Sequence, residues 1–150
     1  MKISIASDHG GFELKSRVIE ILKKRKIEVE DLGNESATES VDYPDYAIRV
    51  AAMVSQEQVD AGLLICGTGI GMCIAANKFK GVRAAVVSDT YSAKMAKEHN
   101  NANILCIGGR VVESAKAEAI LTAWLDAKFE GGRHDRRLEK IKEIEKRNFR

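Results

Sequence analysis

Two hydrophobic periods take turns along this chain, one of two residues and one near 3.6, and each switch falls at glycines or a polar cluster. Lys2–Ala6 alternates around Ile3 and Ile5, as a strand does. After Ser7-Asp8-His9-Gly10-Gly11 the period lengthens, and Leu14, Val18, Ile21 and Leu22 share one face of a helix reaching to about Lys26. Ile27–Leu32 alternates again, with Val29 between Glu28 and Glu30 as on a sheet edge. Residues 33–42 form a polar loop. Pro44, the only proline, suits the first turn of a helix from Asp45 to about Gln58 that buries Ala47, Val50, Ala51 and Val54.

The alternation continues downstream. Leu63–Cys66 reads as a third strand and Ile70–Phe79 as the helix after it. Val82–Val87 is a fourth strand, and Ser88 and Asp89 can cap a helix from Thr90 to about His99. Ile104–Ile107 is a fifth strand, closed by Gly108-Gly109-Arg110. Ala115–Phe129 is amphipathic through Ile120, Leu121, Trp124, Leu125 and Phe129, and Gly131-Gly132 should break it. Asp135–Arg147 is a charged helix whose apolar stripe is only Leu138, Ile141 and Ile144. That stripe is too narrow for a self-contained core, so this helix is expected to pack on a partner subunit.

Strand and helix alternating five times predict an α/β fold: a doubly wound, five-stranded parallel sheet with helices on both faces. With no repeat or linker, residues 1–150 read as one domain. A net charge of +2 gives no argument for nucleic acid, and no apolar run approaches the roughly 20 residues that span a bilayer. Met1–Ser7 runs straight into the first strand, without the form of a signal peptide. Three cysteines without framework spacing suit a reducing cytoplasm.

Ligands of such sheets sit at the C-terminal strand ends, and the chemistry gathers there. Leu63–Met72 is an apolar run ending in Gly67, Gly69 and Gly71, where backbone amides can approach a ligand closely. Cys66 stands at the junction, where a helix start favours the thiolate that serves as base or nucleophile. A cysteine on a strand can equally be a small buried hydrophobe. A dinucleotide fingerprint fails here, because its third glycine would have to be residue 72, which is Met72. The loop suits an anion or oxyanion without saying which.

Asp8 and His9 end the first strand and Arg110 follows the fifth, on the same edge; His9 fits an anion or sugar contact or an ordinary capping turn. Tyr43 could reach that edge or simply pack. His99-Asn100 ends a helix antiparallel to the strands, which puts His99 at the opposite edge from Cys66, roughly 17–20 Å away. If both serve one reaction, His99 comes from a second subunit; otherwise it is a histidine well placed at a helix C-terminus. Arg133 and Arg137, one helical turn apart after two glycines, suit a phosphate or form a solvated basic face.

Ser-Asp-His-Gly-Gly at 7–11, Asp-Tyr-Pro at 42–44, Cys-Gly-Thr-Gly-Ile-Gly at 66–71, Ala-Ala-Asn-Lys at 75–78, Glu-His-Asn at 98–100, Gly-Gly-Arg-Val-Val at 108–112 and Gly-Gly-Arg-His at 131–134 occur in this order. Together they resemble the type B ribose-5-phosphate isomerase family, which also holds galactose-6-phosphate isomerase subunits. The resemblance implies a Rossmann-like homodimer, sometimes a tetramer, that interconverts ribose 5-phosphate and ribulose 5-phosphate without metal or other cofactor. Cys66 would move the proton between C2 and C1, with Thr68 assisting at the hydroxyl and Gly67, Gly69, Ile70 and Gly71 holding the enediolate oxygen. His99 would open the furanose ring, with Asp8 at the ring end and Asn100 nearby. His9, Arg110, Arg133 and Arg137 would bind phosphate, and Tyr43 and His134 would line the pocket. Related members accept six-carbon phosphates, so an allose or galactose 6-phosphate isomerase is the alternative, and a non-catalytic nucleotide-binding module is the alternative from another class.

Overall fold

The computed structural model describes residues 1–149. Five strands, β1 (Lys2–Ser7), β2 (Glu28–Asp31), β3 (Ala61–Cys66), β4 (Ala84–Val86) and β5 (Ile104–Gly108), form one sheet in the order β2-β1-β3-β5-β4, with every pair parallel. The helices are α1 (Phe12–Lys24), α2 (Tyr43–Ser55), α3 (Ile70–Ala76), α4 (Thr90–Glu98), α5 (Ser114–Asp126) and α6 (Arg133–Asn148). This is the doubly wound, Rossmann-like arrangement that the alternating pattern predicts. No helix among the described residues is long and apolar enough to cross a membrane.

Pleating sorts the strand residues to two faces. Ile3, Ile5, Leu63, Ile65, Leu105 and Ile107 point to one side and pack with α1, α4 and α5, around a fully buried Trp124. Ala6, Leu64, Cys66, Ile104 and Cys106 point to the other and pack with α2 and α3. β1 and β3 are neighbours although the chain winds outward from them in opposite directions, to β2 on one side and to β5 and β4 on the other. The gap between their C-terminal ends is the switch point at which such folds bind ligands.

The element boundaries depart from expectation where tertiary contacts override local propensity. α1 stops at Lys24, because Arg25, Lys26 and Ile27 turn their amides back onto the last carbonyls and Lys26 takes φ +59°. α2 begins at Tyr43 and α3 ends at Ala76. α5 ends at Asp126, before the two glycines. Ala127 turns extended (ψ 153°) and leads the chain to Glu130, whose amide donates to the Glu98 carbonyl at 3.0 Å. α6 starts at Arg133 and leaves Ile141 and Ile144 exposed.

Candidate active site

β3 delivers Cys66 to the sheet edge, and the turn after it is made by Gly69. Gly69 sits at φ +81°, a region costly for a residue with a side chain, and a Cβ there would lie 3.0 Å from the Ile107 carbonyl carbon. This bend swings the Gly69 amide round to donate to Cys66 Sγ at 3.1 Å. Thr68 is exposed at the apex, its hydroxyl accepting from Ile70 N–H at 3.3 Å. Cys66 itself is only 5% exposed, but its sulfur faces the amide-lined loop. A cleft of about 310 Å³ lined by Thr68, Ile70, Val86, Gly108 and Val111 opens alongside.

Two further strand ends and the start of α2 close on this loop. Asp8 N–H donates to the Ile65 carbonyl (3.2 Å), and its buried carboxylate accepts from Gly11 N–H (3.1 Å). His9 Nδ1 accepts from Val41 N–H at 3.2 Å, so the proton of the neutral ring lies on Nε2. Gly109 and Arg110 donate their amides to the carbonyls of Cys66 and Gly67 at 2.8 and 3.0 Å. The Arg110 guanidinium lies between Gly10 and Gly67: a Cβ at either would stand 3.3–3.4 Å from its terminal nitrogens. Tyr43, first residue of α2, presses its ring on Gly71, where a Cβ would come within 2.5 Å of the phenol carbon.

The second group lies at the other edge of the sheet. α4 runs back against the strands and ends at His99, three residues after which Ala102 returns its amide to Ala96 and the chain enters β5 from its N-terminal side. His134, on the first turn of α6, stacks on His99 with ring centroids 4.2 Å apart and planes 16° from parallel. Glu130 places one carboxylate oxygen 4.0 Å from each Nε2. Arg133 and Arg137 are exposed on the same first turns of α6, and Asn100 is exposed beside His99. Burial pushes the His134 imidazole below its ordinary pKa, and the neighbouring His99 and Arg133 add to the effect.

The chain therefore assembles Asp8, His9, Tyr43, Arg110 and the residues Cys66, Gly67, Thr68, Gly69, Ile70 and Gly71 at one edge. It assembles His99, Asn100, Arg133, His134 and Arg137 at the opposite one. β3 alone, six residues at about 3.3 Å each, puts roughly 20 Å between the two groups. Two side chains of this constellation gave no signal of their own in the sequence. Lys15 is 2% exposed and grips Asp31 (2.7 Å) and the Asn34 carbonyl (2.6 Å), fixing the start of the loop that ends at Val41 and His9. Its place beside Leu14 and three before Val18, on the apolar face of α1, was the available clue. Glu130 was hidden in what reads as a helix break.

His99, Glu130 and His134 bring three ligand atoms within 4.8 Å of one another. An imidazole binds a metal in the plane of its ring, and two nearly parallel, stacked planes do not meet at one ion. This pair is arranged for stacking rather than for shared ligation.

The model of the ribose/galactose isomerase family matches residues 3–141. The chain belongs to this family. Within it, the Escherichia coli (strain K12) protein named ribose-5-phosphate isomerase B is 50% identical over 146 residues, 97% of each chain. The structure of Clostridium thermocellum ribose-5-phosphate isomerase B superposes with a TM-score of 0.96 at 53% identity, covering 98% of this chain and 99% of that one. That of Mycoplasma genitalium ribose-5-phosphate isomerase B with bound ribulose-5-phosphate does so at 0.93 and 47%, covering 97% and 96%. Parallel sheets of this kind bind ligands at the switch point, and Cys66 and Asp8 stand at the one between β1 and β3.

Proposed function

We propose that the chain interconverts ribose 5-phosphate and ribulose 5-phosphate through an enediolate, in a site shared by two copies of itself. The observation that carries the reaction is the Cys66 loop, a tight glycine turn whose Gly69 amide donates to the Cys66 sulfur. An aldose becomes a ketose when a base takes the proton from C2, holds it, and returns it to C1 while the negative charge rests on oxygen. Cys66 is that base. The amides of residues 67–71 hold the oxyanion, and the Thr68 hydroxyl moves the proton between the two oxygens.

The aldose arrives mostly as a ring, which must open first. His99 of a second copy transfers the proton from the O1 hydroxyl to the ring oxygen, with Asp8 and Asn100 fixing the ring end. His9, Arg110, Arg133 and Arg137 hold the phosphate, and Tyr43 and His134 close the walls; this remote grip positions the carbon skeleton for the base. A two-fold pairing sets the lower edge of one copy against the upper edge of the other and builds two identical sites. The exposed apolar residues Ile70, Val86 and Val111 beside the loop, and Ile141 and Ile144 on α6, give such a pairing its contact surface. Three free thiols suit the reducing cytoplasm.

Cys66→Ser tests the base directly. Turnover should fall by at least about a thousandfold, the scale of losing a positioned base, while ribose 5-phosphate still binds with an unchanged Kd by calorimetry. A variant that keeps full activity removes Cys66 from the role. In deuterated water, aldose recovered from the wild-type reaction should carry deuterium at C2, exchanged through the thiol. A panel of ribose, allose and galactose phosphates compared by kcat/KM fixes the carbon number.

A further inference from the structure

Glu130 has no task in this mechanism, yet the chain holds it in one place beside His99. Its N–H donates at 3.0 Å to the carbonyl of Glu98, the residue that precedes His99. Gly131 and Gly132 follow at φ +67° and +57°, a left-handed pair that turns the chain straight into α6. There the His134 amide donates to the Gly131 carbonyl at 3.0 Å. The Glu130 side chain thus faces two rings at once. Oε1 lies 4.0 Å from His99 Nε2 and Oε2 lies 4.0 Å from His134 Nε2, while the rings themselves are stacked. The carboxylate is half-exposed, His99 is partly exposed and His134 is buried.

We propose that Glu130 is the positioning residue for His99 in ring opening, an inference that rests on His99 being the group that opens the ring. A carboxylate only accepts, so a ring nitrogen that faces it carries the proton. In a neutral imidazole the other nitrogen is then a bare acceptor. Both rings turn Nε2 to Glu130, which leaves His99 Nδ1 as the atom offered to the sugar. At 4.0 Å the contacts are longer than hydrogen bonds. Such contacts at acid–base groups commonly tighten once substrate is seated.

Ring opening needs the carboxylate for its charge as well. His99 Nδ1 takes the proton of the O1 hydroxyl and returns it to the ring oxygen, as the C1–O4 bond breaks and C1–O1 becomes a carbonyl. One proton moves between two oxygens and nothing is oxidised. In between, His99 is an imidazolium stacked on a second imidazole, with Arg133 and Arg137 on the same first turns of α6. These surroundings disfavour positive charge. Burial, His99, Arg133 and Arg137 all drive the proton off His134, and Glu130 acts the other way. Glu130 offsets the charge on His99 while the proton is in transit and does not take the proton itself, as the aspartate does behind the histidine of a catalytic triad.

Kinetics from both sides of the reaction test this role. The ketose enters without a ring, since its C5 oxygen carries the phosphate. Glu130→Gln should therefore lower kcat from saturating ribose 5-phosphate by about tenfold, a part of the ~100-fold or more that an acid–base group contributes. It should leave kcat from saturating ribulose 5-phosphate nearly unchanged. Glu130→Asp, which keeps the charge on a shorter arm, should recover part of the loss. Equal losses in the two directions make Glu130 a structural residue and overturn the proposal. A second measurement needs no turnover. Nitrogen NMR of the whole protein with labelled histidine rings shows which nitrogen holds each proton, and His9→Gln removes the signals of the third histidine. At a pH where the rings are neutral, His99 and His134 should both be protonated on Nε2 in the wild type. Glu130→Gln sets an amide N–H against one of the two rings, and that ring should move its proton to Nδ1. A wild-type His99 protonated on Nδ1, or spectra unchanged in Glu130→Ala, also overturns the proposal. A wild type that turns over neither sugar removes the isomerase reading instead, and the spectra still decide whether Glu130 holds the two protons.

Discussion

Cys66, Cys73 and Cys106 share one side of the sheet, and the loop amide on its sulfur sets the first apart from the other two. Its place at the end of an apolar run, before Gly-Thr-Gly, made it legible in the sequence, because strand ends of parallel sheets are where ligands collect. Glu130 was not legible. Only the folded chain shows that the segment after α5 turns extended and drops a carboxylate beside two stacked imidazoles. His134 carries a consequence for pH. Its folded pKa is held below the ordinary histidine value, mainly by burial. The unfolded chain therefore takes up this proton first as pH falls through about 6.5. Stability from His134 is complete above that value and is lost on acidification toward the lower, folded pKa. Urea midpoints at pH 7.5 and 5.5 should show a larger loss for the wild type than for His134→Gln.

At the scale of elements, the βαβ pattern was readable throughout, and each strand fell within two or three residues of its expected bounds. The ends of helices were less so, since Arg25 closes α1 by turning its amide back onto the Ile21 and Leu22 carbonyls, and Ala127 turns extended so that Glu130 reaches the Glu98 carbonyl, a contact that no local period encodes. The turn between β3 and α3 separates two kinds of glycine. Gly69→Ala meets backbone that cannot move and a φ that alanine tolerates poorly. It should cost about 1–2 kcal/mol in unfolding free energy and misdirect the amide that faces Cys66, lowering kcat. Gly71→Ala meets the Tyr43 ring, which is 41% exposed and free to swing away. Stability should change little, and KM should rise as it does in Tyr43→Ala. The double variant should be no worse than either single one, a non-additivity that marks a shared mechanism. Equal, additive effects of the two substitutions would place Tyr43 outside the pocket. Lys15 is the hidden support of the same region. Lys15→Ala leaves the loop over 33–42 without its buried anchor and should cost about 2–3 kcal/mol, the scale of leaving a buried polar partner unmet, with a parallel rise in KM through His9.

At the scale of the whole molecule the chain carries two groups of polar side chains on opposite edges of one sheet. The sequence already placed His99 a strand length from Cys66, because a helix antiparallel to parallel strands must end at their start. It did not place Arg133 and Arg137, since nothing local says where α6 begins its path. The stack of His134 on His99 decides that: the two arginines travel with His99 and not with Cys66. In the proposed two-fold dimer, Cys66 and the Asp8–His9 turn of one copy stand opposite His99, Arg133 and Arg137 of the other, twice. Cys66→Ser and His99→Asn each spoil both sites of a homodimer. In a mixed dimer, one site carries both lesions and the other carries neither. Equal mixtures of the two inactive proteins, unfolded together and refolded, should place half of the chains in such hybrids. Each hybrid has one intact site of two, so about a quarter of wild-type activity should return. Mixing without unfolding should restore activity only as fast as subunits exchange, which labelled chains report independently. If labelled hybrids form and activity stays at the level of the single variants, each chain completes its own site and the shared-site arrangement is wrong. The same preparation separates the two chemical roles. Ribulose 5-phosphate has no ring to open, because its only ring-closing hydroxyl carries the phosphate. His99→Asn homodimers should therefore lose far more activity with the aldose as substrate than with the ketose, whereas Cys66→Ser should abolish both.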